Sequence, residues 1–286
     1  MTEVHILHNN TEKKFFMGID SDGTAFDSMT VKHRMAFIPT IIKVWGFEKS
    51  KDTVYRICED INLFSKTRGI DRFSGLIPTF ERIKADGIPV PDYSDLADFL
   101  SSGAALSNSG LEEYLKCHDS EFLKDVLKWS IEADELFKKE TESLMPFGGL
   151  KGILDRAVGY ADIAVISSAS ESSLKKDWKK DGLIDDVSVI CGQEQGKKTQ
   201  QLERALGDKY DRNNAMMFGD ALGDYHAAKK AGIWFYPILP GKEELSWRRF
   251  GEKYFDIFFG NAFDESCEDE LLDEFCGTLK LERGQI

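Results

Sequence analysis

Two aspartates separated by one residue close an apolar run in Phe15-Phe16-Met17-Gly18-Ile19-Asp20-Ser21-Asp22-Gly23-Thr24. A short, unbroken apolar run is the pattern of a buried parallel strand, and open α/β sheets bind ligands outside the carboxyl ends of such strands. Asp20 and Asp22 are therefore expected together at the mouth of a cleft. Neighbouring carboxylates repel unless a cation joins them, so the pair points to a metal site or to two acids with separate roles. Gly23 lets the backbone turn sharply, and Thr24 sets a hydroxyl beside the acids.

The same grammar returns far downstream in Ala215-Met216-Met217-Phe218-Gly219-Asp220-Ala221-Leu222-Gly223-Asp224. An apolar strand runs into a tight glycine, a carboxylate, and a second carboxylate four residues on. If a helix starts just after Asp220, the two acids approach each other across its first turn. A capped helix with a solvated face explains one such cluster, but it poorly explains two that each end an apolar run. Two weaker signals lie between them. Ile163-Ala164-Val165-Ile166-Ser167-Ser168 is a strand ending in hydroxyls, and Val187-Ser188-Val189-Ile190-Cys191-Gly192 is a strand followed by Gly196-Lys197-Lys198.

Taken in order, these segments read DxD, Ser, Lys and GDxxxD, and they resemble the motifs of the haloacid dehalogenase superfamily. The resemblance covers Phe15 to Ser28 and Met145 to about Pro240. It implies a Rossmann-like α/β core, a doubly wound parallel sheet, with an all-helical cap inserted after the first motif. It also implies phosphoryl transfer through an aspartyl-phosphate, with Asp20 as nucleophile and Asp22 as general acid and base. By the same analogy Mg²⁺ would be held by the Asp20 carboxylate, the Asp22 carbonyl and Asp220, with Asp224 as a direct or indirect ligand. Thr24, Ser167 and a lysine would contact the phosphoryl group.

Ser167 has a competing role as N-cap of the following helix, which Ser168 or Ser170 could take instead. Lys198 is preferred to Lys197 because Lys198-Thr199-Gln200-Gln201-Leu202 places it just before an amphipathic helix. A lysine there opposes the helix dipole, so a nearby anion would explain it. Thr199 departs from the proline that often follows this lysine in the family. The acid at Asp22 favours ester hydrolysis or phosphomutase chemistry over dehalogenation. Mutases of similar architecture often carry a histidine twelve residues after the nucleophile, where this chain has Lys32 with His33 next to it.

Four helix–strand alternations after Met145 imply a parallel sheet covered on both faces. The helices are expected near Leu150–Val158, Glu171–Lys180, Thr199–Leu206 and Leu222–Ala231. The strands are expected at Ile163–Ile166, Val187–Ile190, Ala215–Phe218 and Trp234–Ile238. Between the first motif and Met145 the pattern turns helical: Val54, Ile57, Cys58 and Ile61 follow helix spacing, as do Leu123, Val126, Leu127 and Ile131. This gives a discontinuous core, residues 1–28 with 147–286, and a helical cap at 29–146, hinged near Asp27–Met29 and Met145–Gly149. Within the cap, Ser65-Lys66-Thr67-Arg68-Gly69-Ile70-Asp71-Arg72-Phe73 is a basic loop in an acidic chain. Lys66, Arg68 and Arg72 could meet a second anionic group on a substrate, or the loop could simply be solvated. A last amphipathic helix carries Leu271, Leu272, Phe275, Cys276 and Leu279, with Ser266 as its expected cap and Glu268, Asp269 and Glu270 at its positive end.

The chain has 286 residues and a net charge of −13, which argues against nucleic acid or an anionic membrane as main partner. A small phosphorylated metabolite is not excluded, because a divalent metal and a lysine can reverse the local field. Five scattered cysteines without metal-ligand spacing suggest free thiols. No secretory segment opens the sequence and no apolar run suits a membrane span, so a cytoplasmic location is expected. The favoured function is a Mg²⁺-dependent phosphoric monoester hydrolase. A sugar phosphomutase, or a silent phosphate- or metal-binding regulator, is the alternative.

Overall fold

The computed structural model describes residues 13–140 and 144–286. The chain divides into two compact units, one formed by the chain up to Asp27 with Met145–Ile286, the other by Ser28–Leu144.

In the first unit, β1 (Phe15–Ile19) is the central strand of a five-stranded parallel sheet, and every one of its residues is buried. The helices that follow β1 in sequence, α1 (Ser28–Val31), α2 (Ile38–Val44), α3 (Lys51–Leu63), α4 (Arg72–Ala85), α5 (Ser94–Ser101), α6 (Asn108–Leu115) and α7 (Glu121–Glu140), belong to the second unit. The first unit resumes with α8 (Leu150–Ala157), β2 (Ala161–Ile166), α9 (Glu171–Trp178), β3 (Val189–Cys191), α10 (Lys198–Leu206), β4 (Ala215–Gly219), α11 (Leu222–Ala231) and β5 (Trp234–Pro237). It ends with α12 (Glu243–Arg249), α13 (Phe255–Phe259) and α14 (Glu265–Thr278).

The strand order is β3-β2-β1-β4-β5, a doubly wound α/β sheet. Register is set by pairs such as Met17 with Ile163 and Gly18 with Met217. Alternate β1 side chains serve opposite faces, as the two-residue period of a strand requires. Phe15, Met17 and Ile19 enter one core with Trp178 and Trp247, while Phe16 enters the other with Leu202, Leu206 and Phe275.

Two expectations in this unit are corrected. The third strand lies at Val189–Cys191 rather than Val187–Ile190, because a 3-10 segment over Lys180–Asp186, with Asp181 and Gly182 left-handed, takes up the chain ahead of it. The last helix is capped by Asp264, not Ser266: the Asp264 carboxylate accepts the Cys267 N–H at 3.0 Å. Ser266 already lies inside that helix. Glu268 is buried there and accepts the Phe235 N–H at 2.8 Å and a Lys229 ammonium proton, tying α14 to β5.

The second unit has its own core of Val54, Ile57, Cys58, Phe73, Phe80, Phe99, Leu123, Val126 and Trp129, among others. On α7 the buried stripe continues through Ser130 and Ala133, so Ile131 faces outward at 37% exposed instead of joining it. Among the described residues no helix is long and apolar enough to cross a membrane.

Candidate active site

The strand order reverses at β1, whose neighbours β2 and β4 come from opposite directions of winding. Ligands of doubly wound sheets bind at such a switch point. Asp20 follows β1 and Asp220 follows β4, so the topology alone makes them neighbours. The Asp20 N–H donates to the Phe218 carbonyl at 3.0 Å and stitches the two strand ends together.

The loop after β1 is fixed from several sides. Gly23, at φ +79°, donates to the Phe26 carbonyl at 2.8 Å, while the N–H groups of Ala25 and Phe26 converge on the Ser21 carbonyl. Two fully buried indoles hold the loop from outside: Trp178 Nε1 donates to Ser21 Oγ at 3.1 Å, and Trp247 Nε1 to the Thr24 carbonyl at 2.8 Å. These anchors escaped the sequence reading. Their only advance signal was that a buried indole must find an acceptor.

At the end of β4, Gly219 has no room for a side chain: a Cβ there would lie 2.2 Å from Asp224 Cβ. That close approach folds Asp224 back toward the strand end. Asp224 Oδ2 accepts the Ala221 N–H at 3.2 Å, satisfying a donor at the start of α11.

The outcome is a cluster of three buried carboxylates, Asp20, Asp220 and Asp224, with ligand oxygens all within 4.8 Å of one another. Lys198, the first residue of α10, sets its Nζ 2.8 Å from Asp20 Oδ1 and 2.6 Å from Asp224 Oδ1. Lys197 is exposed and only precedes the helix, so the ambiguity between the lysines resolves in position to Lys198. Burial pushes the Asp20 and Asp224 carboxyls above their usual range. Lys198 opposes that rise, and the neighbouring carboxylates reinforce it. Burial works against the Lys198 charge too, but Asp20 and Asp224 outweigh it and hold the ammonium above its ordinary value. One ammonium among three carboxylates leaves an anionic excess. The cluster offers carboxylate oxygens alone, a donor set suited to a hard cation such as Mg²⁺.

Thr24, expected to face a phosphoryl group, is fully buried and donates its hydroxyl to Asp220 Oδ1 at 3.1 Å. It orients a carboxylate instead. Asp22 is half-buried in the turn, two residues beyond Asp20. Ser167 lies at the end of β2 and its Oγ accepts the Ala169 N–H at 3.2 Å. Ser170 caps α9, accepting the Ser173 N–H, so capping does not engage Ser167.

In the second unit, Lys66 is exposed, but Arg68 is buried and donates to the Leu63 carbonyl at 3.0 Å. Arg72 opens α4, donates to Ser130 Oγ and Asp134 Oδ1, and covers the Phe37 ring at 4.9 Å. The stretch is thus packed in part, at Arg68 and Phe73, while Lys66, Gly69 and Ile70 are exposed. His33, desolvated and faced by Lys32, Arg68 and Arg72, is held down to about 3.

Residues 103–238 match the family model of haloacid dehalogenase-like hydrolases. The match spans Ser167, Lys198, Asp220 and Asp224, with Asp20 and Asp22 upstream of it. Among curated proteins none matches significantly. Similar solved structures include a haloacid dehalogenase-like family hydrolase from Streptococcus pneumoniae, 14% identical, covering 82% of this chain and 91% of its own, at a TM-score of 0.42. A HAD family hydrolase from Deinococcus radiodurans with bound phosphate and sodium is 13% identical over 81% of this chain and 83% of its own, at 0.45. A HAD-superfamily hydrolase of subfamily IA from Geobacter sulfurreducens is 15% identical over 80% and 89%, at 0.41. Likenesses that distant carry no weight; the similarity that counts is that of residues 103–238 to the family model. Residues 103–238, just under half of the chain, are thus similar to the haloacid dehalogenase-like hydrolases.

Proposed function

We propose that this hydrolase is a Mg²⁺-dependent phosphatase acting on a small phosphorylated metabolite, with the helical unit serving as its cap. The observation that carries the proposal is the convergence of Asp20, Asp220, Asp224 and Lys198 at the switch point of the sheet. Asp20, Asp220, Asp224 and the Asp22 carbonyl would hold the metal, which supplies positive charge against which two anions can approach. An Asp20 oxygen attacks phosphorus as the P–O bond to the leaving alcohol breaks, giving an aspartyl-phosphate. Asp22 gives its proton to the departing alkoxide. It then takes a proton from water, whose oxygen attacks phosphorus, releasing inorganic phosphate and restoring Asp20. Lys198 and the Ser167 hydroxyl hold the phosphoryl oxygens through this exchange. The cytoplasm would supply both the metal and such substrates.

Purified protein is expected to release phosphate from p-nitrophenyl phosphate with Mg²⁺ and to lose that turnover in Asp20→Asn. Turnover that survives Asp20→Asn would refute the nucleophile. Interconversion of sugar phosphates without phosphate release would assign a mutase instead.

A further inference from the structure

Gln201 is the one wholly buried glutamine on α10, one helical turn beyond Lys198. Its Nε2 lies 3.0 Å from the Ser167 carbonyl, 2.8 Å from the Gly192 carbonyl and 2.8 Å from the Gly196 carbonyl. Three separate stretches meet on one amide: the turn after β2, the turn after β3, and the loop that leads into Lys198. Its Oε1 is buried with no partner among the described residues. An unmet buried acceptor costs free energy, and an apolar side chain would avoid that cost. Retaining the amide is accounted for by what its nitrogen joins.

The surrounding bonds close the same assembly. Ser167 N–H donates to the Cys191 carbonyl at 3.0 Å, and Gln193 N–H to the Ala169 carbonyl at 2.9 Å. Gly192 packs so tightly that a Cβ would sit 2.6 Å from the Glu171 nitrogen and 2.8 Å from the Ala169 oxygen. The turns are thus pressed together, and among the described residues only Gln201 links both of them to the helix bearing Lys198 by a side-chain donor. Resting on the phosphatase proposal, we infer that Gln201 is a positioning residue that sets the distance between the Ser167 hydroxyl and the Lys198 ammonium, and so the fit of the phosphoryl group. A glutamine in a charged helical stretch carries no sequence mark of this role.

The test compares Gln201→Met, which keeps volume but has no donor, with Leu272→Ala, a cavity variant in the core on that side of the sheet but on α14. With p-nitrophenyl phosphate, Gln201→Met is expected to lose about 10- to 100-fold in kcat, as misplaced groups do. Inhibition by inorganic phosphate should weaken in parallel. Leu272→Ala should lower the melting temperature while leaving both quantities at wild-type values. Unchanged kcat and phosphate inhibition in Gln201→Met, or an equal loss in Leu272→Ala, overturns the inference. Amide hydrogen exchange at Ala169 and Gly196 gives a readout without turnover, in Gln201→Asn should the methionine variant fail to fold. Faster exchange there than in wild type and Leu272→Ala supports the role, and equal exchange refutes it. A wild-type protein that releases no phosphate refutes the functional proposal, and the exchange comparison then decides Gln201 alone.

Discussion

Lys198→Met should destabilise the metal-free protein by a pH-dependent amount that Mg²⁺ restores. The ammonium stands 2.8 Å from Asp20 and 2.6 Å from Asp224, with only 17% of its side chain exposed. At an effective dielectric of about 20, each contact is worth about 6 kcal/mol of gross attraction. Burying the ammonium costs several kcal/mol of that, and removing one partner of a buried ion pair typically costs about 3–5 kcal/mol net. The variant leaves three carboxylates facing one another, two of them already raised by burial and by their neighbours. A raised carboxyl keeps its proton in the folded state at a pH where the unfolded chain releases it. Stability therefore rises as the pH falls into the raised range. Urea unfolding in EDTA should show the full deficit while the carboxylates are ionised and a smaller one as the pH is lowered into the raised range, where protonation relieves the repulsion. Millimolar Mg²⁺ should recover most of the stability at the higher pH, since a divalent cation replaces the missing charge, without restoring turnover. A variant as stable as wild type in EDTA at the higher pH, or a deficit indifferent to both pH and Mg²⁺, would refute the electrostatic account.

Three further outcomes follow from other parts of the fold. Burial pushes the Cys58 thiol up to about 12 and the Cys191 thiol up to about 11, whereas Cys117 is exposed. Iodoacetamide at neutral pH should therefore modify Cys117 well before either, and rapid native-state labelling of Cys191 by mass spectrometry would contradict the packing. Asp264→Ala should cost about 1 kcal/mol in urea unfolding while Ser266→Ala costs almost nothing, because the first removes the cap of α14. The reverse order would restore Ser266 as the cap. His33, held down to about 3 by burial and the three cations, should show no titration of its ring protons between about pH 5 and 8 in NMR spectra. Because the unfolded histidine takes up a proton near its usual value and the folded one does not, its contribution to stability is complete above that value. It is lost as pH falls toward 3.

The strands and their terminal acids were legible because their signals are local. An apolar run closed by carboxylates marks β1 with Asp20 and β4 with Asp220, and a parallel sheet with a switch point brings those ends together. The lysine was legible to within one residue, and helix register then placed Lys198 over the acids. Features fixed by tertiary contact were not. Thr24 sits beside the acids as expected, yet its hydroxyl turns to Asp220, a direction no spacing encodes. Trp178 and Trp247 carry no mark of their role in sequence, since nothing local tells which carbonyl or hydroxyl their indoles will meet. Arg68 looked like loop charge and is buried against a helix-end carbonyl. Ser266 and Asp264 are both competent caps, and the choice falls to where the backbone first turns helical.

The placement of β1 has a consequence for how this protein acquires its shape. The central strand is made before the other four described strands, while both of its partners lie beyond the helical unit in sequence. During synthesis the ribosome must deliver the whole intervening segment, and then β2 and β4, before Phe15–Ile19 can find an edge to pair with. The contiguous helical unit can fold in that interval, while the five apolar residues wait in an emerging chain where aggregation is the competing fate.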